Sequence, residues 1–60
     1  MTAEIEPGQR WIALRPPHQS LTIIGHVEGG TEDDWEIMML SSGATMLKTG
    51  EHIRASYRPA

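Results

Sequence analysis

The stretch from Trp35 to Leu47, WEIMMLSSGATML, is the most apolar part of the chain and limits most strictly what the chain can fold into. Two apolar runs flank Ser41-Ser42-Gly43. A short loop that ends in glycine is typical of a β-hairpin whose last loop residue has a positive φ. We therefore predict a hairpin with the following opposed pairs: Leu40 and Ala44, Met38 and Met46, and Ile37 and Leu47.

The predicted register divides the side chains of the hairpin between two faces, because successive side chains of a strand alternate. One set is predicted to face the core: Trp35, Ile37, Met39, Thr45 and Leu47. The other set has polar ends and an apolar middle: Glu36, Met38, Leu40, Ala44, Met46 and Lys48. Ile24 can extend that middle. The apolar middle is either buried where a barrel wraps around the hairpin tip, or exposed as a surface for a protein partner.

Length and composition limit the function classes. With 60 residues the chain is long enough for one domain with a small core. It has no cysteine, which excludes disulfides and thiolate metal sites and suits a reducing compartment. Its net charge of −3 is unfavourable for binding phosphate backbones. The longest apolar run, residues 37–40, is far shorter than the ~20 residues that span a bilayer, and the acidic start is not typical of a signal peptide.

Turn residues divide the first half of the chain into short segments. Residues 1–7 are polar and acidic and are predicted to form a flexible lead-in. Strands are predicted at 9–14 and 21–27, separated by a proline-rich loop that cannot form a central strand. Gly25 is expected to bend the second strand or to let a tryptophan side chain cross it. An acidic, glycine-rich loop, 28–34, leads into the hairpin.

The segment after the hairpin is predicted to contain one 3₁₀ turn before a last short strand. Thr49 is expected to cap this turn, which would place Ile53 in the core ahead of the strand through Tyr57. Five short strands in a chain of this length favour a small barrel, since closure removes unpaired edges. We therefore predict an all-β fold with a single barrel domain over residues 8–60.

Five spaced motifs run through the chain: Gly8-x-x-Trp11, Leu21-x-Ile23-x-Gly25-x-Val27, Trp35-x-Ile37, Gly43 to Leu47, and Ile53-x-x-x-Tyr57. Together they resemble the small SH3-like barrels, and more narrowly the short single-domain barrels of actinobacteria and their phages. The resemblance implies a five-stranded SH3-like barrel. It also implies a phage or mobile-element setting, in the cytoplasm of a bacterial host or on a virion, with a host or virion protein as partner. The chain lacks the paired-tyrosine opening motif of peptide-binding SH3 domains and the basic strand of KOW-type RNA-binding barrels, so neither ligand is carried over.

No pattern in the chain indicates catalysis or a metal site. The three histidines, His18, His26 and His52, do not have the spacing of a metal-binding motif, and no nucleophile elbow is present. A barrel of this size has little room for a deep pocket. We therefore expect a protein that is not an enzyme, with no cofactor, no metal, no small-molecule substrate and no membrane contact.

The first functional hypothesis is a non-enzymatic protein-binding module that uses the central hairpin and the acidic loop. Its partner is either another protein or a second copy of the chain, which would make a homo-oligomer. The predicted contact residues lie in the hairpin and at the end of the loop: Met38, Leu40, Met46, Glu36, Lys48, Asp33 and Asp34.

The alternative hypothesis is a small nucleic-acid-binding regulator. In this case Arg15, Arg54 and Arg58 gather on one side of the barrel, and the two tryptophans and Tyr57 stack on bases. The same rings can instead fill the core, because the chain has no phenylalanine and few other large side chains. Salt-sensitive binding to DNA or RNA separates the two hypotheses.

Overall fold

The computed structural model describes residues 4–60 as one antiparallel sheet of five strands and one short helix. The elements in chain order are β1 (Arg10–Ala13), β2 (Ser20–His26), β3 (Asp34–Met39), β4 (Thr45–Thr49), α1 (Gly50–Ser56) and β5 (Tyr57–Pro59). The spatial order of the strands is β4-β3-β2-β1-β5. The prediction of a mostly β domain with five strands is confirmed.

The sheet is not closed into the predicted barrel. Strands β4 and β5 are its two edges, and over residues 4–60 they do not pair; α1 connects them and contacts both. On β5, Arg58 bonds to Ile12 of β1, so the outward backbone groups belong to Tyr57 and Pro59. The Tyr57 N–H donates to the carbonyl of Ile53, and a proline has no N–H. The edge of β5 therefore has no free donor with which to pair with β4.

The hydrophobic core lies on one face of the sheet, which we call the inner face. It consists of eight buried residues: Ile5, Trp11, Leu21, Ile23, Trp35, Ile37, Met39 and Ile53. The inward positions predicted for Trp35, Ile37 and Met39 are confirmed. Those predicted for Thr45 and Leu47 are wrong, because both side chains are exposed, Leu47 by 63%.

Ile5 belongs to the predicted lead-in over residues 1–7, yet it is buried in the core. The Gln9 side chain holds this segment, because its Oε1 atom accepts hydrogen bonds from the Glu6 N–H at 2.9 Å and from the Trp11 indole at 3.1 Å. Residues 1–3 lie outside the described residues. The sequence pattern gave no sign of Ile5 as a core residue, since one isoleucine between two glutamates has no periodicity.

The β3–β4 hairpin has a register one residue away from the predicted one. Ile37 lies opposite Met46, whereas the prediction placed it opposite Leu47. The Met39 N–H donates to the Ala44 carbonyl at 2.8 Å, so four residues, 40–43, form the loop in place of the predicted three. Gly43 has the predicted positive φ, 72°. A shift of one residue in one strand moves its side chains to the opposite faces.

Strand β2 bends near Gly25, as predicted. Its pairing with β3 shifts between Ile23 and Gly25, which leaves Ile24 as the extra residue of a β-bulge. The predicted crossing of Gly25 by a tryptophan is wrong, because a Cβ at Gly25 would have no neighbour within 4 Å. The bend therefore comes from the bulge and not from a side chain that crosses the strand.

The segment after the hairpin is an α-helix of seven residues, not the predicted 3₁₀ turn. Thr49 is its N-cap, as predicted, and its Oγ1 atom accepts the His52 N–H at 3.2 Å. Ile53 is fully buried, also as predicted. Over residues 4–60, no helix is long and apolar enough to cross a membrane.

Asp33 explains why this short segment forms a full α-helix. Its carbonyl accepts the Gly50 N–H at 2.7 Å, and its carboxylate accepts the Glu51 N–H at 3.0 Å. The carboxylate also bonds to Arg54, with Oδ1 and Nη2 3.3 Å apart. Together with the Thr49 cap, these bonds satisfy the first donors of a helix that would be marginal in isolation.

Candidate interaction surface

An apolar patch lies on the outer face of the hairpin, opposite the core. The outer patch consists of four residues from three strands and the hairpin loop: Ile24, Met38, Leu40 and Leu47. Three of them are large exposed apolar side chains, with Leu47 exposed by 63%, Ile24 by 44% and Leu40 by 40%, whereas Met38 is half-buried. Glu36, which lies opposite Leu47 in the ladder, supplies a negative charge beside it.

The observed register divides the predicted contact residues of the hairpin between two faces. Met38, Leu40 and Glu36 are on the outer face. Met46 and Lys48 are on the inner face, opposite the core residues Ile37 and Trp35. The structure therefore does not bring Met46 together with Met38.

Leu47 is the residue of the outer patch that the sequence pattern did not predict there. The pattern predicts a three-residue loop, which places Leu47 in the core, whereas the loop has four residues. A four-residue loop that begins at Leu40, before the two serines, is the alternative that predicts the observed position of Leu47. That alternative places Leu47 opposite Glu36 and on the outer face.

The edge of β4 has free backbone hydrogen-bonding groups. The Met39 N–H bonds to the Ala44 carbonyl at one end of the β3–β4 ladder, and the Gly50 N–H bonds to the Asp33 carbonyl at the other. Hydrogen-bonded pairs alternate with non-bonded pairs in an antiparallel ladder, so Met46 and Lys48 are the β4 residues that bond to β3. The N–H and C=O groups of Thr45 and Leu47 point away from β3, as does the Thr49 N–H, whereas the carbonyl of Thr49, the N-cap of α1, accepts the first hydrogen bond of the helix. In the part of the chain that the structure describes, no strand lies on this side of β4. The free edge and the exposed side chain of Leu47 thus adjoin each other.

The two aspartates predicted to contact a partner are engaged within the domain. Asp33 holds the start of α1, as described above. The Asp34 carboxylate accepts the Thr31 N–H at 2.8 Å, and its own N–H donates to the Thr31 carbonyl at 3.2 Å. These bonds define the turn that leads into β3. They give both carboxylates a structural part in the loop.

The three arginines of the alternative hypothesis have different surroundings. Arg54 is paired with Asp33. Arg58 lies exposed on β5, opposite Ile12. Arg15 lines a surface cleft of about 490 Å³ between the end of β1 and α1. One of the three is therefore already neutralised by an acidic partner inside the domain.

The aromatic rings proposed to stack on bases are mostly in the core. Trp11 is 1% exposed and Trp35 is 6% exposed, so neither indole offers a face to a base. Tyr57 is half-buried, and it lines the same cleft as Arg15 and His52. The core interpretation of the tryptophans is confirmed.

The three histidines lie apart and make contacts within the domain. His18 Nδ1 donates to the Ala13 carbonyl at 3.0 Å. The His26 ring stacks on Trp35, with ring centroids 4.1 Å apart, and the His52 ring lies edge-on to Tyr57, with centroids 6.5 Å apart. Among residues 4–60, no group of three or more histidine or acidic side chains gathers closely enough to hold a metal ion.

Comparison with protein-family models, with curated proteins and with solved structures finds no match for this chain. The resemblance to the small SH3-like barrels therefore stays a prediction. The functional proposal depends on the geometry of the outer patch and of the free β4 edge.

Proposed function

We propose that this domain is a non-enzymatic protein-binding module, and that the outer patch and the free edge of β4 form its binding surface. The observation that carries the proposal is the exposure of Leu47, 63%, on a strand whose outward backbone groups have no strand beside them. A partner can bury Leu47 and hydrogen-bond to the edge in one step. This combination is typical of binding by strand addition.

The surface suits a protein more than a nucleic acid. Its large exposed side chains are apolar, and the charged residue beside them, Glu36, is negative. Phosphate backbones require concentrated positive charge, whereas the chain has a net charge of −3 and pairs Arg54 with Asp33. The burial of both tryptophans also removes the base-stacking rings that a single-strand binder needs.

The biological setting that we propose comes from the sequence resemblance. The domain would belong to a phage or mobile element and would bind a host or virion protein, in the bacterial cytoplasm or on a virion. A relationship to the SH3-like barrels is supported by five antiparallel strands with a helix directly before the last one. The open seam between β4 and β5 would then be a departure from that family.

Site-specific photo-cross-linking in the cells that contain the protein tests the proposal. A photoreactive residue replaces Leu47, and the matched control replaces Leu14, which is 49% exposed beside the cleft at α1. We expect a discrete protein adduct from position 47 and none from position 14. In a second arm, Leu40→Asp should lower the yield at position 47 about tenfold, which corresponds to the loss of roughly 1.4 kcal/mol of binding. No protein adduct at position 47, with salt-sensitive binding to DNA or RNA, would favour the nucleic-acid alternative.

A further inference from the structure

We propose that the partner of the β4 edge is a second copy of this chain, paired antiparallel about a two-fold axis through Leu47. This inference rests on the proposed function and names one partner for the same surface. The two five-stranded sheets would join into one continuous sheet across the paired β4 strands. Both outer patches would then lie on the same side of the combined sheet.

The hydrogen-bonding pattern of β4, its length and its side chains together favour this register. Leu47 is the central residue of β4, Thr45–Thr49, and its N–H and C=O point outward. An antiparallel pair centred on Leu47 lets the two Leu47 residues exchange both backbone hydrogen bonds. Thr45 of each copy then lies opposite Thr49 of the other. A centre on Lys48 would set the two lysines opposite each other, and a centre on Met46 would pair only residues 45–47 of β4, whereas the centre on Leu47 pairs all five residues.

The side chains are compatible with the same register. On the outer face, the two Leu47 side chains lie beside each other and cover part of their exposed surface. On the inner face, Met46 of each copy lies opposite Lys48 of the other, so that no two lysines oppose each other. The interface is thus self-complementary in backbone hydrogen bonds and in apolar contacts, and it opposes no like charges, as suits a two-fold interface.

The geometry also favours a closed dimer over an open chain of molecules. The β5 edge has no free donor, because Tyr57 bonds to Ile53 and Pro59 has no N–H. Each copy therefore has one edge that can both donate and accept hydrogen bonds, and pairing uses that edge in both copies. A strand of five residues buries less area than a standard stable interface, so we expect a weak dimer that forms with rising concentration.

Sedimentation velocity over roughly 10 μM to 1 mM tests the inference, a range that covers the affinities of a weak dimer. The wild-type mass should rise toward twice the monomer mass. Thr45→Pro should stay monomeric, because it removes an outward N–H from the first residue of an edge strand, where proline is tolerated. Leu47→Lys should also stay monomeric, because two lysines would meet at the axis. The control Leu14→Lys should dimerise like the wild type.

Circular dichroism of each variant separates lost pairing from lost folding. If Thr45→Pro does not fold, the oligomeric state of Leu47→Lys alone decides whether β4 forms the dimer interface. A wild type that is monomeric over the whole range would overturn the dimer, as would a dimer that both variants leave intact. A monomeric wild type that still gives a cross-linked adduct with another protein from position 47 overturns the dimer and leaves the proposed function standing.

Discussion

The two edges of the sheet differ in what they can offer to another strand. At β5 the outward N–H of Tyr57 is used by the last turn of α1, and Pro59 has none to give. At β4 the outward groups of Thr45 and Leu47 have no strand beside them within residues 4–60. The helix and the proline thus remove the hydrogen-bond donors of the β5 edge, whereas the β4 edge keeps its donors and lies beside the exposed Leu47. Unpaired edges attract other strands, so this asymmetry supports the proposal that a partner pairs with β4.

The helix between the two edges is part of this difference. It begins directly after β4, where Thr49 and Asp33 satisfy its first N–H groups. It ends directly before β5, where it uses the Tyr57 N–H. One short element therefore leaves most of β4 uncovered and removes a donor from β5.

The largest expected effect is the destabilisation of the hairpin, without which neither edge of the sheet exists. Trp35→Ala should lower the free energy of unfolding by about 3 kcal/mol, toward the low end for a buried tryptophan. The indole N–H of Trp35 is buried and has no hydrogen-bond partner among residues 4–60. The substitution therefore also removes the desolvation cost of this unpaired donor, which places the expected loss at the low end of the range. Chemical denaturation measures the change.

Leu47→Ala is the matched control in the same hairpin. Because Leu47 is mostly exposed, its truncation should change the free energy of unfolding by less than about 0.5 kcal/mol. Equal losses for the two variants would show that Leu47 belongs to the core and would remove it from the proposed surface.

The next largest effect acts on the helix that separates the edges. Asp33→Ala should lower the free energy of unfolding by about 1–2 kcal/mol, since α1 loses hydrogen bonds at its first turn. Fraying of α1 should also release the Tyr57 N–H, and its amide exchange should become faster. Glu32→Ala, an exposed neighbour in the same loop, is the control and should leave both quantities unchanged.

The effect of a third substitution, Gly50→Ala, on the free energy of unfolding should depend on whether Asp33 is present. A Cβ at Gly50 would collide with the Asp33 carboxylate, so Gly50→Ala should cost about 1 kcal/mol in the wild type. Once Asp33 is alanine, the same change should be neutral or stabilising, because alanine is the better helix former by up to about 1 kcal/mol. A double-mutant cycle measured by chemical denaturation gives the difference. Equal costs in both backgrounds would mean that Asp33 does not contact Gly50.

The smallest effect is expected from a substitution that gives the β5 edge a hydrogen-bond donor, as the β4 edge already has. Pro59→Val gives β5 an outward N–H, and the free energy of unfolding should change by less than about 0.5 kcal/mol. We expect a small rise in average mass beyond the dimer in concentrated samples, seen by light scattering. Ala60→Val is the control, because the Ala60 N–H already bonds to the Arg10 carbonyl. The same result for both variants would show that the proline does not close this edge.

Much of the fold could be predicted from local sequence patterns. Alternation and turn residues predict the strands, Gly43 predicts the positive φ of the hairpin loop, and Thr49 predicts the helix cap. These features depend on neighbouring residues, so a single sequence contains the necessary signal. The burial of Ile53 follows from the same local reasoning.

The features that were missed depend on residues far apart or on an ambiguous pattern. The helix depends on Asp33, which bonds to Glu51 eighteen positions away. The hairpin register was ambiguous because residues 37–40 are all apolar and do not alternate. The open seam depends on how Tyr57 and Pro59 use their backbone groups, which no periodicity indicates. The outer patch is therefore predicted in part: Met38, Leu40 and Ile24 are predicted in it, Leu47 is predicted outside it, and Met46 is wrongly included.

Amide hydrogen exchange at Leu47 and Lys48, measured at low and at high protein concentration, tests the central claim most directly. The two residues are neighbours on β4, but the Leu47 N–H points to the free edge and the Lys48 N–H bonds to β3. The account predicts that exchange at Leu47 is fast in dilute solution and slows in proportion to the paired fraction, while exchange at Lys48 does not change. An equally fast Leu47 amide at both concentrations, or equal slowing at both residues, would contradict it.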